Sequence, residues 1–146
     1  MKETICTIAG AIISVIAGFF GGWDASIATL LFFMAVDYIS GLLVGATKKS
    51  LKTKSGGLSS ATGFKGLAKK IGVLLLVLVS ARLDIILGTA YIRHGVCVAF
   101  MVNELISIVE NLGLLGIRLP AVLLNAIEIL QQKTESKTTE IKEDDE

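Results

Sequence analysis

Polar residues along this chain come in bunches, and the intervals between them are long and apolar. Residues 4–23 carry no charge over twenty positions, enough at the 1.5 Å rise of an α-helix to cross a hydrocarbon core of about 30 Å. A second run, residues 25–47, is interrupted only by Asp37. The third and fourth predicted spans cover residues 69–90 and 95–112. Gly21-Gly22-Trp23-Asp24 forms a turn between the first two, with Trp23 suited to the headgroup level. Tyr91-Ile92-Arg93-His94 forms a tight turn between the last two. Beyond Gly113 and Gly116, Pro120 is placed to open a helix. Leu123, Ala126, Ile127 and Leu130 then repeat at helical spacing, while Asn125, Glu128 and Gln132 fall on other faces. That helix, residues 119–131, is too short and too polar to cross, and belongs at the interface or as a cap on the bundle. Residues 133–146 have low hydrophobicity and no period, which predicts a disordered charged tail. The pattern as a whole predicts an all-α integral membrane bundle of about four transmembrane helices in two hairpins. Residues 1–132 make its membrane domain, with the C-terminal amphipathic helix included.

Charge gives the bundle a direction. The connector between the second and third spans, residues 48–70, holds Lys48, Lys49, Lys52, Lys54, Lys65, Lys69 and Lys70 and no acidic residue. Short Lys/Arg-rich loops stay on the cytoplasmic side during insertion, so this connector and both termini are expected there. Arg93, in the outer turn, runs against that rule. Composition agrees with a membrane protein, being 53% hydrophobic and only 18% charged. The net charge of +1 conceals a separation, because the tail from Lys133 sets three lysines against six acidic residues. The connector lysines form a basic surface for membrane lipid, each worth about 1 kcal/mol beside anionic headgroups, and not for nucleic acid.

Several functional classes are excluded. Cys6 and Cys97 both lie in apolar runs without Cys or His at ligand spacing, so neither zinc nor a disulfide framework is expected, and both thiols are expected to be buried. The single histidine, His94, has no second ligand or nucleophile near it, which leaves no metal site, no cofactor and no enzyme. Gly56, Gly57, Gly63 and Gly66 lack the Gly-Lys-Ser/Thr ending of a phosphate loop, since Gly63 is followed by Phe64 and Lys65. The start, Met1-Lys2-Glu3, has no net positive charge from side chains and is not expected to be a cleaved signal.

The remaining candidates are polar groups at membrane depth, where a charge costs roughly 2.5 to 3.5 kcal/mol on insertion scales and implies pairing or function. Asp37, Arg82, Asp84 and Glu104 need such an explanation, and counting along the spans puts Arg82 near the depth of Asp37 and Glu104. Arg82 is therefore expected to pair with one of them. Asn103, Glu104, Ser107, Glu110 and Asn111 make one polar stripe on the fourth span. Lipid cannot satisfy it, so it is either a lining or seam that opens to water, or a static hydrogen-bond cluster. Gly10, Ser14, Gly18 and Gly22 fall four apart on the first span, and Gly41 and Gly45 continue the Asp37 face of the second. Such small-residue faces permit close helix packing, within the chain or with another copy. A proton site at Asp37 or Glu104, in a small proton-coupled transporter, is the alternative use of these charges.

Taken in order, Asp37-Tyr38-Ile39-Ser40-Gly41, Leu58-Ser59-Ser60, Gly63-Phe64-Lys65-Gly66, Lys69-Lys70-Ile71, Asp84, Asn103 through Asn111 and Gly113 through Pro120 resemble the toxin-secretion/phage-lysis holins. The resemblance covers residues 37 to about 130. It implies a small protein of the bacterial cytoplasmic membrane that oligomerises and permeabilises it, so that an endolysin or a toxin can leave. It brings no catalytic residues with it.

Overall fold

A computed structural model describes the backbone of residues 1–143 and the side chains of residues 1–133. The described backbone forms five α-helices and no strand: α1 (Lys2–Phe19), α2 (Ala25–Ala46), α3 (Ser60–Leu87), α4 (Ile92–Leu114) and α5 (Ala121–Glu143). Three of them, α1, α2 and α4, are long and apolar enough to cross a membrane. The longer α3 carries Lys70, Arg82 and Asp84 and lies outside that set.

Each helix end has a local cause. At the end of α1, Gly21 and Gly22 take positive φ, and the Gly22 N–H closes on the Ala17 carbonyl at 2.9 Å, so the helix stops at Phe19, short of residue 23. Gly22 is thus off the helix. Asp24 opens α2, its carboxylate accepting from the Ile27 N–H at 3.1 Å. Ser59 does the same for α3 through the Thr62 N–H. The connector is therefore only residues 47–59, and Lys65, Lys69 and Lys70 stand on the first turns of α3. A run of lysines is compatible with helix as well as loop, and Ala61, Leu67 and Ala68 among them favour helix. The connector is folded too: Ser50 N–H donates to Gly56 O at 2.9 Å and Thr53 Oγ1 to Gly57 O at 2.8 Å. Gly56 has φ +70°, and a Cβ there would collide with the Lys48 carbonyl.

The bundle proper is α2, α3 and α4. Asp24, the cap of α2, meets Arg93 of α4 at one end, and Asp37 meets Asn111 toward the other, so these two helices run parallel. α3 runs against both, because Lys70 reaches Asp37 while Asp84 reaches the start of α4. Ile27, Leu30, Met34, Val73, Val77 and Cys97 form the core. Outward apolar side chains such as Phe32, Leu43, Leu75, Leu76 and Val79 are exposed, as a lipid-facing surface requires.

α1 contributes no buried residue. It touches α3, where the Arg82 guanidinium lies 4.8 Å from the Phe19 ring centre and Gly21 approaches Ala81. Cys6 is accordingly exposed, not buried, while Cys97 is fully buried. α5 packs on α4 and buries Ile127, while Val122, Leu123, Leu124, Ile129 and Leu130 are exposed. It runs past residue 131 to Glu143, so the segment expected to be disordered is helical that far, and residues 144–146 lie outside the described residues.

Candidate functional site

Where α2, α3 and α4 cross near their connector-side halves, the charges are concentrated. The Lys70 Nζ donates to Asp37 Oδ2 at 2.8 Å and to Glu104 Oε2, one ammonium bridging carboxylates from two other helices. The three side chains are 12%, 13% and 7% exposed. Asn111 extends the network, its Nδ2 donating to Asp37 Oδ1 at 3.1 Å and to Ser40 Oγ at 2.9 Å. Ser40 in turn donates to the Asp37 carbonyl at 3.0 Å. With two carboxylates and one ammonium the cluster carries a formal charge of minus one, which the neutral Asn111 donor helps to offset.

Lys70 reaches this position because of helical spacing. It shares a face of α3 with Val73, Val77, Ala81 and Asp84, all buried, whereas Lys69 next to it is exposed. The same period puts Asp37 and Ser40 on the α2 face that buries Met34 and Val44. Gly41 stands 3.7 Å, measured from its ideal Cβ position, from Asn111 Nδ2, and Gly45 meets Leu58. These two glycines let α4 and the connector close on α2.

The expected partnership of Arg82 is corrected by this geometry. Arg82 faces Phe19 and meets neither Asp37 nor Glu104, since it lies several turns along α3 from them. The cation is Lys70, which is consequently not a headgroup lysine. Lys48, Lys49, Lys52, Lys54, Lys65 and Lys69 are all exposed at the connector end.

Beside the network lies a cavity of about 400 Å³ between α2, α3, α4 and the connector. Asp37, Lys70 and Glu104 stand at it, together with Tyr38, Thr62, Asn103, Ser107 and Glu110. The polar stripe of α4 is thereby divided. Glu104 and Asn111 are buried in the network, whereas Asn103 and Glu110 are exposed and Ser107 is half-buried along the cavity wall.

Asp84 is elsewhere and has another task. It accepts from the N–H groups of Ile92 at 3.0 Å and Arg93 at 2.9 Å and from Thr89 Oγ1 at 2.6 Å, so a residue of α3 caps the first turn of α4. This cap starts α4 at Ile92, earlier than residue 95, and draws Arg93 and His94 into the helix. Arg93 is ion-paired with Asp24, and His94 Nδ1 lies 2.7 Å from Ser26 Oγ. Burial pushes the Asp24 carboxyl up, but the Ile27 N–H and the Arg93 guanidinium outweigh it and hold it below the usual carboxylate range.

Among the described residues nothing approaches Gly10 or Gly18 within 4 Å of where a Cβ would stand, and Ser14 is exposed. No group of His, Cys, Asp and Glu able to hold a metal occurs among the described residues.

Residues 14–132 match the bacteriophage holin family. The chain belongs to that family. The matched segment takes in α2, α3 and α4 whole, the end of α1 and the first half of α5, so it includes all of the bundle that holds the charged network. The family and the three apolar helices make this a protein of the cytoplasmic membrane, and the family is not one of enzymes. Among relatives, an uncharacterised protein of Listeria monocytogenes is 43% identical over 79% of this chain and 78% of its own length. An uncharacterised 14.9 kDa protein in the nagH 3' region of Clostridium perfringens is 36% identical over 78% of this chain and 83% of its own. A probable holin of Bacillus phage phi105 is 25% identical over 70% of this chain and 72% of its own. No solved structure matches the chain.

Proposed function

We propose that this protein is a holin that oligomerises in the cytoplasmic membrane and opens a lesion through which an endolysin or a toxin escapes. The observation that carries this reading is that the family match runs across the same helices that enclose a polar cavity and a buried charged network. Four helices, α1 to α4, span, with α3 crossing between Lys70 and Gly88, where Arg82 lies over the Phe19 ring and Asp84 is taken up by the first amides of α4. The exposed connector lysines hold that end on the cytoplasmic side, and both termini with it. Arg93 is the one cation that runs against this orientation, and at that end it is held in an ion pair with Asp24.

Oligomerisation uses α1, a helix without a buried residue, whose Gly10 and Gly18 meet no neighbouring atom among the described residues and whose Ser14 is exposed. Within the polar stripe of α4, Glu104 and Asn111 stay in the buried network, whereas Asn103, Ser107 and Glu110 along the cavity face water or protein, never lipid, and join a wet lumen when protomers rearrange. The exposed apolar side of α5 rests at the inner interface.

One observation favours a second reading. Two carboxylates on one lysine at the end of a polar cavity would also suit the proton site of a small coupled transporter. Induced expression of the chain alone separates the two. A holin collapses the membrane potential after a delay, whereas a transporter leaves it standing and shows saturable, pH-dependent uptake.

A further inference from the structure

The two halves of the α2–α3–α4 bundle differ in kind. On the connector side of Lys70 the helices part around the cavity of about 400 Å³, walled by Tyr38, Thr62, Asn103, Ser107 and Glu110. On the other side they close on Ile27, Leu30, Met34, Val73, Val77 and Cys97, none more than 5% exposed. The order holds on every helix. On α2 the apolar residues precede Asp37, on the antiparallel α3 they follow Lys70, and on α4 Cys97 precedes Glu104. At about 30 Å³ per molecule the cavity holds on the order of ten waters, and its walls offer them polar partners. The apolar layer, from Ile27 to Met34, is about 10 Å deep at 1.5 Å per residue, and a hydrophobic constriction of that kind stops ions by staying dry.

We infer that the permeation route begins inside the protomer, with the cavity as a water-filled half-channel open to the cytoplasm and the apolar layer beyond Lys70 as its gate. This rests on the permeabilising reading and locates the entrance, which that reading alone leaves between protomers. The ligands are water and small ions. A passage of this size cannot take a folded enzyme, so the ion leak and the release of enzyme become separate steps, the second needing an assembly of protomers.

Thiol labelling of the full chain in membrane vesicles tests this, using a membrane-impermeant cationic thiosulfonate. Cys6→Ala removes the exposed thiol on α1 and leaves Cys97 as a native reporter inside the gate. Before the potential collapses, Ser107→Cys in that background reacts from the cytoplasmic side faster than from the outer side by an order of magnitude or more, and Cys97 is inert from both. After collapse Cys97 becomes reactive by a similar factor. Should Ser107→Cys fail to insert, Thr62→Cys at the same cavity reads the same quantity. Inert cysteines at 107 and 62 from the cytoplasmic side overturn the half-channel. Cys97 staying inert after a recorded collapse overturns the gate and puts the route between protomers, while leaving the holin reading intact. No collapse at all sinks the holin reading itself.

Discussion

Lys70→Met is the most informative single change in the bundle. It removes the one cation between Asp37 and Glu104, whose side chains are 13% and 7% exposed, and it nearly preserves the shape of the stem. Surface ion pairs contribute about 1 kcal/mol or less, but breaking a buried one strands a charge and costs about 3 to 5 kcal/mol. The adjoining cavity lets water reach the stranded carboxylates, which places the expected loss near the lower bound, about 3 kcal/mol. For a chain of this size each kcal/mol moves the midpoint by a few degrees, so Tm should fall by on the order of 10 °C. The assay is thermal unfolding of the detergent-purified protein followed by far-ultraviolet circular dichroism. Lys69→Met is the control, exposed one residue away, and should change stability by less than about 0.5 kcal/mol. The triple variant Lys70→Met, Asp37→Asn, Glu104→Gln leaves no stranded charge and should regain part of the loss, since the two amides cost less without a partner than two buried carboxylates do. Equal Tm values for Lys70→Met and Lys69→Met, or a triple variant no better than the single, would refute the claim that these charges are mutually dependent.

Two further outcomes follow from the end of the bundle opposite the connector. Asp84→Ala removes the acceptor for the Ile92 and Arg93 N–H groups and should cost about 2 kcal/mol, the upper range for a lost cap, with hydrogen exchange accelerating at those amides more than in the middle of α4. The Asp24 carboxyl is lowered in the folded state, so its contribution is complete above its ordinary value of 3.8 and is lost as pH falls through the lower folded value. Acid titration of Tm should therefore show a low-pH drop that is smaller in Asp24→Asn; identical acid limbs in the two proteins would remove Asp24 from the account.

The apolar runs were legible because a helix that crosses lipid must be apolar almost throughout, and α1, α2 and α4 are long and apolar enough for that. Lys70 was not, since it closes a series of lysines and composition groups it with them. The signal was present in its spacing, three residues before Val73 and seven before Val77, on the face that α3 buries. Ser40 could have been found likewise, from its place three residues after Asp37. Asp84 as a cap, and Arg82 over Phe19, depend on how α3 meets α4 and α1, which no local pattern in the chain encodes. The same holds for Cys6, whose exposure follows from α1 standing outside the bundle.

The most direct test of the central claim is the membrane potential of bacteria induced to make this chain alone, followed by a potential-sensitive dye beside an immunoblot of membrane-inserted protein. Normal growth and potential during accumulation, then abrupt collapse of both, is the result expected of a holin. A normal potential sustained in cells rich in correctly inserted protein would contradict it.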